Sequence, residues 1–183
     1  MKLGQTLYAR DRREWRRWLA KNHARAREVW LVYPTKKSGK PRIPYNDGVE
    51  EALSFGWIDS TNKRLDEHHI AQRFTPRRPG SRLSAMNLER ARRLIAAHRM
   101  TKAGLRVIGD QLKLTRLHVA PDILAALRAE PGALANFRRF PASYKRIRIG
   151  FIEGARDRPA ECKKRLRYFV KMTAQNKRYG MVQ

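Results

Sequence analysis

The stretch that decides the fold is Trp57-Ile-Asp-Ser-Thr-Asn-Lys-Arg-Leu-Asp-Glu-His-His-Ile-Ala-Gln-Arg-Phe-Thr-Pro76. Trp57 to Leu65 reads as a strand, Asp66-Glu67-His68-His69 as a turn, and Ile70 to Thr75 as the returning strand, which Pro76 and Pro79 end. A turn at 66–69 pairs 65 with 70, 63 with 72, 61 with 74 and 59 with 76. Side chains alternate between the faces of such a hairpin. One face then carries Trp57, Asp59, Thr61, Lys63, Leu65, Ile70, Gln72 and Phe74. The other carries Ile58, Ser60, Asn62, Arg64, Ala71, Arg73, Thr75 and Arg77. The second face is polar. With Arg78 beside it, Ser60, Asn62, Arg73, Thr75 and Arg77 form a candidate anion site, since guanidiniums next to hydroxyl and amide groups hold phosphate or carboxylate in two-pronged fashion. The alternative is the solvated outer face of an antiparallel sheet. Asp59 and Lys63 share the first face, as a candidate acid/base pair or a salt bridge.

Outward from the hairpin, Asp11 with Glu14 resembles a capping box, followed by Trp15, Trp18 and Leu19 at helical spacing. Val29 to Tyr33 is a buried strand, and Lys36 to Pro41 a basic loop. Asn46 or Asp47 caps a short helix carrying Val49, Ala52 and Leu53, which Gly56 stops. From Ser84 the period becomes helical. Ser84 and Thr101 cap two helices, Thr115 to Ala120 reads as a linker, and Pro121, Pro131, Pro141 and Pro159 each introduce a further helical pattern. The expected architecture is α+β. A small antiparallel sheet with helices occupies residues 1–114, and an all-helical module occupies 115–183.

The chain has 183 residues, with 42 Lys+Arg against 16 Asp+Glu and a formal net charge of +26. That excludes an acidic solvating protein and makes a polyanion, whether nucleic acid or an anionic envelope component, the default partner. Lys36, Lys37 and Lys40 of the loop and Lys163, Lys164, Arg165 and Arg167 of the last helix are the candidates for nucleic acid. The charge is uneven, for residues 47–76 hold six acidic and three basic side chains. Such an acidic island either neutralises neighbouring arginines or belongs to a site. Cys162 stands alone on the apolar stripe of a helix and reads as a core residue. The five histidines have no metal-ligand spacing, and no Gly-rich phosphate loop, nucleophile elbow or His-Glu-x-x-His run is present, so the sequence implies no metal and no cofactor. No apolar run suits a membrane span or a signal peptide, and the expected location is the cytoplasm.

Several blocks together carry a resemblance. They are Phe55-Gly-Trp-Ile-Asp-Ser, Lys63-Arg-Leu-Asp-Glu, Gln72-Arg-Phe-Thr-Pro-Arg-Arg-Pro-Gly-Ser, and Ser84 with Asn87 and Arg90. Trp18-Leu-x-x-Asn-His, Glu28-Val-Trp-Leu-Val-Tyr, Ser38-Gly-Lys-Pro, Val49-Glu-Glu-Ala-Leu and Met100-Thr-x-Ala-Gly-Leu extend it, and Phe137, Pro141, Ile152 and Arg165 carry it into the C-terminal part. In these the chain resembles the YdeI/OmpD-associated, or bacteriocin-protection, family. It departs at Ser54, Leu83 and Cys162-Lys163, where cysteine, tryptophan and Thr-Arg are usual. The resemblance implies a frataxin-like class for the N-terminal part, a link to resistance against bacteriocins and antimicrobial peptides, and no established catalytic residues. A protein at +26 repels a cationic peptide, so direct sequestration is disfavoured. The expected function is therefore a non-enzymatic, anion-binding resistance factor. The alternatives are a nucleic-acid binder and an enzyme on a phosphorylated or carboxylated small molecule.

Overall fold

Val29 to Pro34 is apolar at nearly every position, as a strand covered on both faces must be. In a computed structural model, which describes residues 3–113 and 117–180, this segment is β2 and lies inside a four-stranded sheet. The other strands are β1 (Thr6–Tyr8), β3 (Trp57–Arg64) and β4 (His69–Pro76), in the order β1-β2-β4-β3. β2–β4 and β4–β3 are antiparallel, but β1 pairs with β2 in parallel, with Leu7 beside Leu31. The sheet is thus mixed, where a purely antiparallel one was expected. The three-residue β1 has too little alternation to register as a strand by itself.

Helix α1 (Arg12–Asn22) begins where expected: the Asp11 carboxylate accepts from the backbone N–H of Arg13 and of Glu14. Helix α2 (Tyr45–Ser54) starts earlier than expected, with Pro44 as its N-cap. Asn46 and Asp47 therefore lie inside its first turn instead of capping it. Gly56, at φ +78°, turns the chain out of α2 into β3. Trp15, Leu19, Ala52, Phe55, Trp57, Phe74 and Leu31 form the core between these helices and one face of the sheet. Both buried indoles find acceptors, Trp15 in the Gly48 carbonyl at 3.0 Å and Trp57 in the His23 carbonyl at 3.2 Å.

The acidic island explains how α2 sits on α1. Glu51 is fully buried, and its carboxylate accepts from Arg12, from Arg16 at 2.6 Å and from Arg99 at 2.7 Å. Asp47 and Glu50 bind the same Arg12 guanidinium at 3.0 and 3.1 Å. Helices α3 (Ala85–Ala96) and α4 (Lys102–Ile108) follow, opened by the Ser84 and Thr101 hydroxyls as expected.

The chain divides into two compact units. One comprises the residues up to Arg82 with Arg90–Leu112, and the other Leu83–Glu89 with the residues from Lys113 onward. Residues 83–89, expected with the sheet, thus pack with the helical part. The expected linker begins at Thr115, and the boundary at 114/115 falls with it, outside the described residues. The helical unit contains α5 (Pro121–Ala129), α6 (Ala133–Arg139), α7 (Ala142–Glu153) and α8 (Pro159–Ala174). Pro121 and Pro159 occupy first-turn positions, while Pro141 is the N-cap residue of α7 and Pro131 precedes Gly132, the N-cap residue of α6. Ile123, Phe137, Tyr144, Ile152 and Phe169 fill the core of this unit, joined by the buried Cys162. Asn136 donates to the carbonyls of Thr173 and Ala174 at 2.9 and 3.1 Å, so it satisfies the end of α8. Glu89 takes a two-pronged bond from Arg146 at 2.7 and 2.8 Å.

Replacing Glu51 by glutamine keeps the shape but leaves three guanidiniums without their shared charge. The expected loss is about 3–5 kcal/mol of unfolding free energy, read as a lowered urea midpoint with an unchanged slope. A loss below about 1 kcal/mol, the range of surface ion pairs, would contradict the hub role.

Candidate functional site

The hairpin contains an irregularity that alternation alone does not show. Trp57, Ile58 and Asp59 pair with Pro76, Thr75 and Phe74, whereas Asn62, Lys63 and Arg64 pair with Gln72, Ala71 and Ile70. A bulge between Asp59 and Asn62 shifts the register by one residue, and a one-residue shift exchanges faces. Asn62 and Arg64 therefore join the column of Gln72, and Lys63 the column of Ala71 and Arg73.

This rearranges the expected anion site. Arg73 is on the outer face, tied to Glu28 by bonds of 2.8 and 2.5 Å. The Ser60 hydroxyl donates to the Arg73 carbonyl at 3.4 Å. Thr75 stands opposite Ile58 on that face, and Asn62 is exposed opposite Gln72. Arg78 is exposed, while Arg77 is buried. The six residues do not converge. Asp59 and Lys63 lie on opposite faces, with Lys63 exposed, and so form neither an acid/base pair nor a salt bridge.

What the structure does assemble is a polar cluster around Asp59 on the inner face of the sheet. The Asp59 carboxylate accepts from the Tyr45 hydroxyl of α2 at 2.8 Å and from the Gln72 amide of β4 at 3.1 Å. Tyr33 of β2 shares this face, two residues along from Leu31, and its buried hydroxyl has no hydrogen-bond partner. Burial pushes the Tyr33 phenol well above its usual range, reinforced by the nearby Tyr45 and Asp59. Arg90 of α3, also buried, donates to the Asn46 side chain at 2.8 Å.

Arg77 follows directly on β4. It is 7% exposed, and its Nε has no partner. Burial lowers its pKa, and the charge of Asp59 offsets this only in part. Burial lowers Arg90 as well, with Tyr45, Glu50 and Asp59 acting against it. Two desolvated guanidiniums thus flank one carboxylate that already accepts two hydrogen bonds. The arrangement can hold an anion on Arg77, and it can accept a proton-bearing group of the same ligand through Asp59.

Asp59 and Arg77 were legible in the sequence. Tyr33, Tyr45, Asn46 and Arg90 were not read as site residues. The available signal was Asp59 and Gln72 together on a strand face that otherwise carries Trp57 and Phe74.

The remaining candidates sit apart from this cluster. Lys36 and Lys37 lie in a single 3-10 turn, and Lys40 follows Gly39; all three side chains are exposed. On α8, Lys163, Lys164 and Arg167 are exposed. Arg165 is committed to Glu161 at 2.8 Å and to the Phe151 carbonyl at 2.7 Å, and so is not a free phosphate contact. His69 binds Asp66 within the hairpin turn. Among the described residues no group of three or more His, Cys, Asp or Glu could hold a metal ion, and no helix is long and apolar enough to cross a membrane.

Burial, with the Asp59 hydrogen bond second, pushes the Tyr45 phenol up to about 12. The folded protein therefore retains this proton where the unfolded chain, ionising near pH 10, has lost it. The resulting stabilisation is complete below about pH 10 and fades as pH rises toward 12. The phenolate absorbance that Tyr45→Phe removes should appear at lower pH in an Asp59→Asn background. An unchanged midpoint would remove Asp59 from the cluster.

Residues 7–107, more than half of the chain, match a family model described as Domain of unknown function (DUF8412). Residues 116–176 match the model described as Bacteriocin-protection, YdeI or OmpD-Associated. The Gly-Trp-Ile-Asp-Ser and Thr-Pro-Arg-Arg-Pro blocks thus fall in the first match, and Phe137, Pro141, Ile152 and Arg165 in the second. Searches of curated proteins and of solved structures gave no match. The chain belongs to the family of the first model, a domain of unknown function, and its helical module is similar to the bacteriocin-protection, YdeI or OmpD-associated family.

Proposed function

We propose that this protein is a non-enzymatic anion-binding factor in bacteriocin or antimicrobial-peptide resistance, with the cluster around Asp59 as its ligand site. The observation that carries the reading is Arg77, a guanidinium 7% exposed whose Nε has no hydrogen-bond partner. A buried guanidinium whose Nε is unsatisfied, and whose burial Asp59 offsets only in part, is costly, and a bound anion lowers the cost. The depth of the group selects the ligand. A nucleic-acid backbone or a lipid surface needs cations that project outward. A charge set this deep suits a small phosphate or carboxylate, with Asp59 and Tyr45 receiving a hydroxyl or amine of the same molecule. The net charge of +26 supports an anionic partner and disfavours direct capture of a cationic peptide.

Thermal melting and calorimetry with glycerol phosphate, inorganic phosphate and glycerol test this reading. Glycerol phosphate should raise the melting temperature most and glycerol not at all, with the affinity falling as salt goes from ~50 to ~200 mM. Arg77→Met should abolish the shift yet raise the stability of the ligand-free protein by about 1 kcal/mol or more, because a desolvated charge is removed. Arg78→Met, at an exposed position, should change neither. A shift that survives in Arg77→Met, or no anion-induced shift at all, would sink the proposal.

A further inference from the structure

The helical unit holds another buried guanidinium with an unsatisfied Nε, and this one lines a cleft. Arg148 of α7 is 5% exposed, its Nε has no hydrogen-bond partner, and no carboxylate pairs with it among the described residues. Aromatic rings support it instead: its guanidinium carbon lies 4.7 Å from the centre of Tyr179 and 5.6 Å from that of Tyr144. Burial pushes the Tyr179 phenol up, and Arg148 partly offsets this. At Gly180 the backbone runs so close that a Cβ would lie 2.8 Å from both terminal nitrogens of Arg148. The rings and the backbone hold the guanidinium in place without neutralising it.

The cleft has a volume of about 670 Å³, within the range of small-molecule sites. Its walls are mainly apolar, with Met86, Leu88, Ile147 and Phe151 contributing, and no acidic residue lines it. Phe151 is 45% exposed, an unusual position for a phenyl ring. Arg165 fixes it there, with its guanidinium 3.8 Å from the ring centre while it bonds to Glu161 and the Phe151 carbonyl. An apolar trough that ends at a desolvated, unneutralised cation matches one kind of molecule: a hydrocarbon chain with a single anionic head.

We infer that this cleft binds a single-chain carboxylate amphiphile, its hydrocarbon chain along Met86, Leu88, Ile147 and Phe151 and its carboxylate on Arg148. Carboxylate and guanidinium geometries match, and removal of the head from water strengthens the bond. The site shares no residue with the cluster around Asp59, and the inference does not rest on that cluster.

Calorimetric titration of the full chain with dodecanoate, dodecanol and dodecyltrimethylammonium, each below its micellar concentration, tests the inference. Dodecanoate should bind at one site, dodecanol roughly tenfold or more weaker for want of the charged bond, and the ammonium compound not at all. Phe151→Ser and Arg148→Met should each weaken dodecanoate roughly tenfold or more, and Arg78→Met, at an exposed position, should leave it unchanged. Should Arg148→Met fail to fold, the exposed position of Phe151 makes Phe151→Ser the deciding variant. Equal affinity for acid and alcohol, dodecanoate binding unaffected by Phe151→Ser, or many weak salt-sensitive sites of the kind a highly basic surface gives would each overturn the assignment.

Discussion

One buried carboxylate organises the sheet-containing unit. Glu51 receives guanidiniums from both ends of the first turn of α1, Arg12 and Arg16, and from Arg99 beyond α3. A carboxylate without solvent is tolerable only when its oxygens are fully served, and here three arginines serve them. Asp47 and Glu50 lie on the same helix within reach of Arg12, so α2 is held on α1 by charge as well as by the Trp15 packing. The position of α2 in turn decides where Tyr45 and Asn46 stand, and those two residues complete the cluster around Asp59 and Arg90.

The same concentration of acid explains where charge is left uncompensated. With 16 acidic side chains for 42 basic ones, a carboxylate shared among several arginines leaves others with none. Most of the excess is exposed and solvated, at little cost. Arg77 and Arg148 are different, because they are buried with an unsatisfied Nε; Asp59 only partly offsets the burial of Arg77, and aromatic rings surround Arg148. This incomplete compensation is a local property of two sites, distinct from the net charge of the surface.

Much of the fold was legible in the sequence. The hairpin, the strand at Val29–Pro34 and the caps Asp11, Ser84 and Thr101 follow from local chemistry, as do the helices that Pro121 and Pro159 open. The illegible parts depend on tertiary partners. β1 exists because Leu7 finds Leu31, and three residues carry no pattern of their own. The first turn of α2 was misplaced because Pro44, with its φ already set, precedes the polar residues that looked like caps. The site was half legible. Asp59 and Arg77 were named, but with companions that the shifted register sends elsewhere, while Tyr33, Tyr45 and Arg90 come from separate elements that no local pattern connects.

The bulge between Asp59 and Asn62 acts on the hairpin as a frameshift acts on a message. On the turn side of it, every residue of β3 is displayed in the opposite phase from the one its spacing to Asp59 would give. The tip of the hairpin and its buried base are thereby decoupled. Substitutions at 62–64 change the surface without touching the environment of Asp59, because the extra residue at 60–61 keeps Lys63 on the outer face; strict alternation over the same stretch would bring it to the inner face beside the carboxylate. In this segment, then, length constrains the site more tightly than composition does.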